Sequence, residues 1–310
     1  MKIVFMGTPE FSVPSLKILL ENNYDIAAVV TAPDKRKGRG RILSESDVKK
    51  FAVERGLKIL QPEKLKDEQF VNEIRILDPD LIIVVAFRIL PKEVFTIPKY
   101  GSFNLHASLL PKYRGAAPIN HALISGETET GVTTFFLKEK VDTGNIILQK
   151  KIEILSEDDA GRLHDKLSTS GAEVVLETVR MIERGNIILK EQDESQASPA
   201  PKIFKEDCGI KWDQGSVKIN NFIRGLSPRP TAFTFLNERS VKIYRTKLTD
   251  IPSGKSAGTL IINNKQLLVS TIDNELEILE LQLEGKKRIS AADFINGLDR
   301  IVELYFTGKK

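Results

Sequence analysis

Cysteine and histidine are scarce in this chain of 310 residues, which contains one cysteine and three histidines. A lone cysteine, Cys208, excludes an internal disulfide and a thiolate metal cluster, and it favours a reducing, cytoplasmic location. No histidine lies near it in sequence, so we expect a structural thiol and not a nucleophile. The spacing of His106, His121 and His164 matches no common zinc site. The sequence therefore predicts no metal.

Long apolar runs are also absent. The amino terminus reaches Gly7 after a short apolar stretch, which is too short for the apolar region of a signal peptide. No later run approaches the length of a membrane-spanning helix, and the apolar run 81–87 has the length of a buried strand instead. We therefore expect no membrane association.

Glycine is sparse after the first predicted strand. A dinucleotide-binding loop needs three glycines at this point, for the turn, for the approach of the pyrophosphate and for helix packing. Here only Gly7 is present, and the bulky Pro9 and Phe11 occupy the space that follows. A nicotinamide or flavin cofactor is therefore not expected, and the chain also has no Gly-x-Ser-x-Gly nucleophile elbow.

Positive charge is present in small excess, +4 overall, and its distribution is uneven. Residues 1–203 carry 29 Lys and Arg against 29 Asp and Glu, whereas residues 204–310 carry 17 against 13. A second excess is local and consists of Lys35, Arg36, Lys37, Arg39 and Arg41. Such asymmetry suggests a polyanionic partner, although a solvated basic surface would give the same pattern.

The first half of the chain alternates strand-like and helix-like segments. The predicted strands are short and largely apolar: 2–6, 25–31, 58–60, 80–87 and 101–106. Segments with apolar residues at helical spacing separate them, which predicts a mostly parallel, Rossmann-like α/β sheet covered on both faces. Two further strands, 130–137 and 145–154, and a long helix over 159–184 are expected to complete this domain.

A polar segment rich in breakers interrupts this rhythm and predicts a linker over 190–204. Beyond it, strand-like runs recur at short spacing with turns between them, which is typical of a small all-β, OB-like barrel. We therefore predict an α/β domain over 1–189, the linker, and a β-barrel domain over 205–310.

The strongest chemical signal is the pair Asn104 and His106. The two residues are two positions apart on a predicted strand, so their side chains face the same side, at the strand end that forms the ligand crevice of an open parallel sheet. Asp142 lies in a predicted turn between two strands. These groups suffice for acyl transfer without a covalent intermediate, because an amide and a protonated imidazole stabilise an oxyanion and a carboxylate accepts protons. Each residue alone also has an ordinary structural interpretation, as a turn former, a satisfied polar residue or a cap.

Several motifs resemble a known family. The runs 104–111 and 113–118 resemble the signature of the 10-formyltetrahydrofolate-dependent formyltransferases, and 129–133 and 141–144 continue it at the family's spacing. Further matching segments are 6–11, 33–34, 38–40, 201–203 and 226–228. The resemblance covers essentially the whole chain, and within the family it is greatest to the branch that formylates methionyl initiator tRNA.

The resemblance implies transfer of a formyl group from 10-formyltetrahydrofolate, a consumed co-substrate, to the amino group of initiator methionyl-tRNA. It makes Asn104, His106 and Asp142 the catalytic set. The folate site implied by position comprises Phe87, Arg88, Ile89, Leu90, Ser108, Leu109, Leu110 and Pro111. The tRNA site implied by position comprises Lys35, Arg36, Lys37, Arg39 and Arg41, with the barrel domain as a second tRNA-binding element. We expect a monomer.

The chain departs from the family at a few loops. Relatives usually have Tyr-Gly in place of Phe87 and Arg88, and arginine adopts a positive φ less easily than glycine, so the backbone there is expected to differ. The segments 44–47 and 138–140 are also unusual in composition. Two alternatives stay open: a formyltransferase that acts on a glycinamide nucleotide or an amino sugar, and a non-enzymatic tRNA- or nucleotide-binding protein. A small acceptor gives no reason for a basic second domain.

Overall fold

Strands and helices alternate along the described part of the computed structural model, residues 1–37, 42–263, 265–297 and 304–307. The strands up to residue 153 are β1 (Lys2–Gly7), β2 (Asp25–Val30), β3 (Lys35–Lys37), β4 (Ile42–Ser44), β5 (Ile59–Leu60), β6 (Leu81–Val85), β7 (Ser102–His106), β8 (Glu129–Phe136) and β9 (Ile146–Glu153). The helices up to residue 183 are α1 (Val13–Glu21), α2 (Asp47–Glu54), α3 (Glu68–Leu77), α4 (Lys92–Phe95), α5 (Pro118–Ile124) and α6 (Ala160–Glu183). Among the described helices, none is both long and apolar enough to cross a membrane.

The chain divides into two units with separate cores. The first unit comprises residues 1–115, 129–153 and 164–199. The second comprises residues 116–128, 154–163 and 200–310. The predicted domain limits at residues 189 and 205 stay a prediction.

One sheet organises the first unit, with the strand order β5-β2-β1-β6-β7-β8-β9. The strands β5, β2, β1, β6 and β7 run parallel to one another. The strands β8 and β9 are antiparallel additions at one edge. The five residues of β6 are all buried, as expected for a central strand covered on both faces. On one face Val4 and Val84 share a core with Phe70 and Ile74 of α3. The predicted Rossmann-like, mostly parallel sheet is confirmed.

The strand order reverses direction between β1 and β6, and such a switch point opens a crevice at the carboxyl ends of the strands. The loop after β1 folds back onto the end of β6, where the Ser12 hydroxyl donates to the Val85 carbonyl at 2.7 Å. A Cβ at Gly7 would lie 2.7 Å from the Ser12 Cβ, so this glycine is required by that close approach. The crevice therefore continues toward β7, whose end carries Asn104 and His106.

An antiparallel sheet dominates the second unit. Its strands are β10 (Ala232–Leu236), β11 (Arg239–Pro252), β12 (Leu260–Asn263), β13 (Gln266–Ser270), β14 (Asn274–Leu283), β15 (Arg288–Ser290) and β16 (Phe306–Thr307). Helices α7 (Ser216–Leu226) and α8 (Ala291–Asn296) accompany them. The strand order is β12-β13-β14-β11-β10-β16, and β15 pairs with β14.

Residues 304–306 close this sheet into a barrel. On one side β16 pairs with β10, and on the other the Leu260 amide donates to the Leu304 carbonyl at 2.8 Å. The Phe306 amide donates to the Gly258 carbonyl, also at 2.8 Å. Closure removes the exposed edges, as in a small barrel. The predicted all-β barrel is confirmed.

Aromatic packing fixes the start of the barrel core. Trp212 stacks on Phe306 with ring centroids 5.4 Å apart, and its indole donates to the Thr234 hydroxyl at 3.0 Å. Cys208 is 1% exposed and donates to the Phe204 carbonyl, and burial raises the pKa of its thiol. A buried thiol with a raised pKa is a poor nucleophile, in agreement with the structural role expected from sequence.

Two segments differ from the sequence-based expectation. In the basic segment, residues 35–41, the sequence predicts no strand, but Lys35–Lys37 forms one that pairs antiparallel with Ile42–Ser44. A strand made of charged residues shows no apolar periodicity, so its sequence does not predict it. The segment predicted as a linker also starts as ordered structure, because Lys190 exchanges backbone hydrogen bonds of 3.0 and 2.8 Å with Ile146. Its residues 190–199 belong to the first unit.

Candidate active site

Strand β7 presents Asn104 and His106 at its carboxyl end, as predicted. Backbone pairing with β6 and β8 fixes both residues, since Asn104 is opposite Val84 and Phe135 and His106 is opposite Thr133. The His106 side chain is 7% exposed, whereas Asn104 is only partly buried. The site therefore combines a buried imidazole with a carboxamide that a ligand can reach.

Two hydrogen-bond acceptors flank the His106 ring. Its Nε2 lies 2.8 Å from the Tyr113 carbonyl oxygen, and its Nδ1 lies 3.8 Å from Oδ2 of Asp142. A neutral imidazole donates from one nitrogen only, whereas the protonated ring donates from both. Nε2 is therefore tied to a backbone carbonyl, whereas Nδ1 faces a carboxylate that lies beyond hydrogen-bond distance.

Asp142 is held at the tip of the turn between β8 and β9. Its Oδ2 accepts a hydrogen bond from the Gly115 amide at 2.9 Å, and its side chain is 12% exposed. Its φ of 55° is left-handed, a conformation that aspartate tolerates better than most residues. A Cβ at Gly144 would lie 1.5 Å from the Phe136 carbonyl oxygen, so only glycine permits this tight turn.

Asn104 differs from its neighbours in hydrogen bonding. Among the described residues, its carboxamide has no hydrogen-bond partner. A carboxamide offers donors and an acceptor, and a partly buried one gains from a ligand that satisfies it. The site therefore brings together an imidazole, a carboxylate and an amide that has no hydrogen-bond partner among the described residues. These are the three groups predicted from sequence.

The residues 108–111 form a turn that closes on β8. Ser108 is fully buried, and its hydroxyl donates to the Lys112 carbonyl at 2.6 Å. Thr133 donates to the Ser108 carbonyl at 2.6 Å and accepts from the Leu110 amide at 3.1 Å. Leu110 is 3% exposed, whereas Leu109 and Pro111 are partly exposed. The side chains of Ser108 and Leu110 thus hold the turn and do not face a ligand.

The segment after β6 resolves the expected departure at Arg88. Ala86, not Arg88, takes the positive φ, at 46°. The Arg88 guanidinium donates to the carbonyls of Pro62 and Glu63 at 2.7 and 2.9 Å, so it anchors the loop. This loop leaves Ile89 72% exposed. Phe87, which lies 5.2 Å from the guanidinium, is partly exposed, and Leu90 is buried.

A polar cluster holds the base of the basic segment. Asp34 precedes Lys35 and contacts Lys49 at 2.5 Å and the Gln61 amide at 2.8 Å. Lys49 also contacts Glu45, which follows the segment, at 2.9 Å. The hydrogen bond from Lys49 holds the pKa of Asp34 below its usual range, and the bond to Asp34 raises the pKa of Lys49. Gly38, Gly40 and two of the predicted tRNA-binding residues, Arg39 and Arg41, lie outside the described residues.

Sequence reasoning missed Gln192, which lies in the predicted linker. Its Nε2 donates to the carbonyls of Asp142 and Gly144 at 2.9 and 2.8 Å, so it contacts the turn of Asp142 directly. A polar residue in a breaker-rich segment carries no periodic signal that would reveal such a contact. Within the described residues, no group of three or more His, Cys, Asp or Glu could hold a metal ion.

Known proteins resemble this chain in sequence and in fold. A sequence model described as Formyl transferase matches residues 1–179, and one described as Formyl transferase, C-terminal domain, matches residues 202–299. The methionyl-tRNA formyltransferase of Flavobacterium johnsoniae is 48% identical over 303 residues, which cover 96% of each chain. That of Thermodesulfovibrio yellowstonii is 49% identical over 297 residues, which cover 95% of each chain.

A solved structure extends the comparison to fold. The N-formyltransferase from Helicobacter canadensis, in complex with folinic acid and dTDP-3-aminofucose, has a TM-score of 0.66 and covers 90% of this chain and 98% of its own. At 22% sequence identity, this likeness concerns the fold alone. The full-length sequence relatives are more specific. The chain therefore belongs to the formyl transferase family, in its group of methionyl-tRNA formyltransferases.

Proposed function

We propose that the chain transfers the formyl group of 10-formyltetrahydrofolate to the free amino group of methionyl initiator tRNA. The product is the N-formylmethionyl-tRNA used in translation initiation. The observation that carries this proposal is the unpartnered Asn104 carboxamide beside the His106–Asp142 pair. The names and near-complete coverage of the sequence relatives support the choice of acceptor. Its buried single cysteine fits a reducing, cytoplasmic location.

Asn104 and His106 stabilise the negative charge that develops on the formyl oxygen as the amine adds to the formyl carbon. The folate co-substrate supplies that carbon in an activated form. Asn104 donates from a carboxamide that has no competing partner in the described structure. In the proposed reaction His106 donates as imidazolium, with the Asp142 carboxylate 3.8 Å from its Nδ1. One such donor in a closed site typically contributes roughly 3 kcal/mol to the transition state.

Asp142 removes the proton of the attacking amine. Its Oδ2 accepts from Gly115 and faces His106. In the described structure Oδ1 accepts no hydrogen bond, so this oxygen is available to take the proton. The carboxylate also stabilises the charged ring of His106 by its proximity. The tetrahedral adduct then collapses, the bond between the formyl carbon and N10 of the folate breaks, and tetrahydrofolate leaves with a proton on N10 that balances the one taken from the amine, so transfer needs no covalent enzyme intermediate.

The folate site is formed by the loop after β6 and the turn 108–111. Ile89 and the partly exposed Phe87 offer apolar surface to a flat heteroaromatic ring. Ser108 and Leu110 contribute by fixing the turn, and Leu109 and Pro111 are the exposed members. These residues fit a folate because they combine a flat apolar surface with a rigid turn beside Asn104.

The tRNA is bound by positive charge. Lys35, Arg36, Lys37, Arg39 and Arg41 form a basic segment that carries five cations in seven residues. Residues 204–310 carry the whole net excess of positive charge, 17 Lys and Arg against 13 Asp and Glu. Neutralising phosphates with such residues releases counterions, so binding is expected to weaken as salt rises.

The test is an acceptor comparison. The purified protein is incubated with 10-formyltetrahydrofolate and, separately, methionyl initiator tRNA, a glycinamide nucleotide or an amino-sugar nucleotide. We expect formylmethionine after hydrolysis of the tRNA product and no formylation of the small acceptors. Formylation of a small acceptor in preference to tRNA would contradict the proposal. Tight tRNA binding without formyl transfer would make the protein a binding module instead.

A further inference from the structure

Residues 190–199 run alongside the loop that supplies the hydrogen-bond partners of the catalytic groups. The Arg114 amide donates to the Ser198 carbonyl at 2.8 Å, and the Tyr113 amide donates to the Ser198 hydroxyl at 2.9 Å. Tyr113 contacts His106 through its carbonyl, and Gly115 donates to Asp142. The segment therefore braces both contacts from one side.

Gln192 reaches further, to the catalytic turn itself. Its Nε2 donates to the carbonyls of Asp142 and Gly144, and its Oε1 accepts from Nε and Nη2 of Arg114 at 3.0 and 2.7 Å. A carbonyl only accepts and a guanidinium only donates, so the orientation of this carboxamide is unambiguous. All four contacts lie within hydrogen-bonding distance. Gln192 thus joins the turn of Asp142 to the loop of Arg114.

Arg114 gives this link a fixed anchor. Its guanidinium makes paired contacts with the Glu194 carboxylate at 2.7 and 3.0 Å. That pairing holds the pKa of Glu194 below its usual range, with the hydrogen bond from Arg114 as the largest cause. The Arg114 side chain is 13% exposed, so the guanidinium is held between Gln192 and Glu194. Paired guanidinium contacts define a geometry as well as a charge.

The Asp142 turn needs such support. Asp142 is left-handed, with a φ of 55°, and a backbone of this kind persists only when its surroundings hold it. The position of the Asp142 carboxylate sets its distances from His106 and Gly115. A displacement of the turn would therefore move the proton acceptor away from the ring that it supports.

We propose that Gln192 is a positioning residue for formyl transfer, which holds the Asp142 turn against the Arg114 loop. It acts through Asp142 and does not touch the reacting atoms. The inference rests on the proposed function, because it assumes that Asp142 takes part in the reaction. The segment predicted from sequence as a linker thereby becomes part of the active site.

The test uses Gln192→Glu in the full chain. The new carboxylate keeps an acceptor for Arg114, but it places an oxygen against the carbonyls of Asp142 and Gly144. Gln196→Glu is the matched control, because Gln196 lies in the same segment, is exposed and donates only to Asp193 at 2.9 Å. The readouts are kcat, the KM for methionyl-tRNA, the melting temperature and the exchange protection of the Gly115 amide.

We expect kcat of Gln192→Glu to fall about tenfold or more while the KM for tRNA and the melting temperature change little. Protection of the Gly115 amide should fall, because its partner is Oδ2 of Asp142. In an Asp142→Asn background the second substitution should add little, since contacting residues that act together are not additive. Gln196→Glu should match the wild type.

Unchanged kcat together with unchanged Gly115 protection would overturn the proposal, and so would a loss fully additive to that of Asp142→Asn. A lower Gly115 protection with normal kcat would leave the positioning intact and would instead contradict the catalytic role of Asp142. The two proposals therefore fail in distinguishable ways.

Discussion

At the scale of single residues, His106 lies between a neutral and a charged neighbour. A carbonyl lies against one ring nitrogen and a carboxylate lies 3.8 Å from the other. The carboxylate is beyond hydrogen-bond distance, so it acts on the ring through its charge. Asp142 is the charged member of this pair, so its carboxylate and not merely its shape is expected to matter.

Asp142→Asn tests that point. The amide is nearly isosteric, but it neither stabilises an imidazolium by charge nor accepts a proton. We expect kcat to fall roughly 10²-fold at every pH, a size typical of general-base removal. Asp165→Asn is a suitable control, since its side chain is 81% exposed. A pH–rate profile that is merely displaced, with full activity at its optimum, would assign the carboxylate a positioning role only.

The placement of the candidate catalytic side chains was predictable from sequence, but the backbone that holds them was not. Asn104 and His106 were predictable because side chains two positions apart at a strand end share a face. The positive φ values of Ala86, Tyr113 and Asp142 were not, since none of them is glycine and each is imposed by tertiary contacts. The role of Arg88 followed the same rule, because its partners are the carbonyls of Pro62 and Glu63, far away in sequence.

At the scale of elements, the basic hairpin depends on a clamp at its base. Lys49 of α2 contacts Asp34 on one side of the β3–β4 pair and Glu45 on the other. The Lys49 side chain is only 16% exposed, so its charge is paired with these carboxylates and is poorly accessible to a ligand. The clamp therefore ties the residue before β3 and the residue after β4 to α2.

Lys49→Met should lower kcat/KM for methionyl-tRNA several-fold while the KM for the folate is unchanged. Loss of the cation removes the contact that joins Asp34 and Glu45 and leaves Asp34 with Gln61 alone, which loosens the base of the β3–β4 pair. Lys50→Met is the matched control, because Lys50 is exposed and makes only a 3.7 Å contact with Asp47. Equal tRNA kinetics for the two variants would show that the clamp plays no part.

Arg39→Ala removes a cation of the basic segment itself. We expect weaker tRNA binding and a shallower dependence of affinity on salt, by about one phosphate contact in slope, with folate binding unaffected. Titration of tRNA at several salt concentrations measures both quantities. If affinity, slope and formylation are all identical to those of the wild type, the basic segment does not bind tRNA. That result would favour a small acceptor.

Prediction of elements was best where apolar periodicity exists. The buried strand β6 and the helix α6 were expected from sequence, and both are observed. The closing segment of the barrel was not predictable, because Leu304 and Phe306 act through backbone bonds to residues far away in sequence. The contacts of residues 190–199 were not predictable either, since polar composition conceals specific contacts.

At the scale of the whole molecule, the chain has two units with separate cores, and its positive charge is unevenly distributed along the sequence. The first unit carries the candidate active site, and the second carries a barrel whose core includes the only tryptophan, Trp212. This division was predictable in outline, because a change from alternating α/β rhythm to short strands is visible in sequence. The discontinuous make-up of each unit was not, since it depends on which segments pack together.

The stability of the second unit depends on Asp273, which accepts from the Ser216 amide at 2.8 Å at the start of α7. This bond, before other causes, holds the pKa of Asp273 far below its usual range. A lowered pKa stabilises the fold above the unfolded value, about 4, and the effect is lost as pH falls below it.

Asp273→Asn should therefore destabilise the barrel by up to about 1 kcal/mol at pH 7, a typical capping contribution at an exposed site. The difference from the wild type should shrink as pH is lowered below about 4. Trp212 fluorescence during thermal unfolding reports on this unit. A difference of constant size from pH 7 to pH 3 would contradict the assignment.

The most direct test of the proposed chemistry is the single-turnover rate of formyl transfer by Asn104→Ala. The measurement uses saturating 10-formyltetrahydrofolate and methionyl initiator tRNA, with Asn22→Ala, an exposed asparagine variant, as control. We predict a rate roughly 10²-fold below that of the wild type, with unchanged melting temperature and tRNA affinity, because an oxyanion donor is lost. A rate close to that of the wild type would contradict the claim that Asn104 and His106 form the oxyanion site.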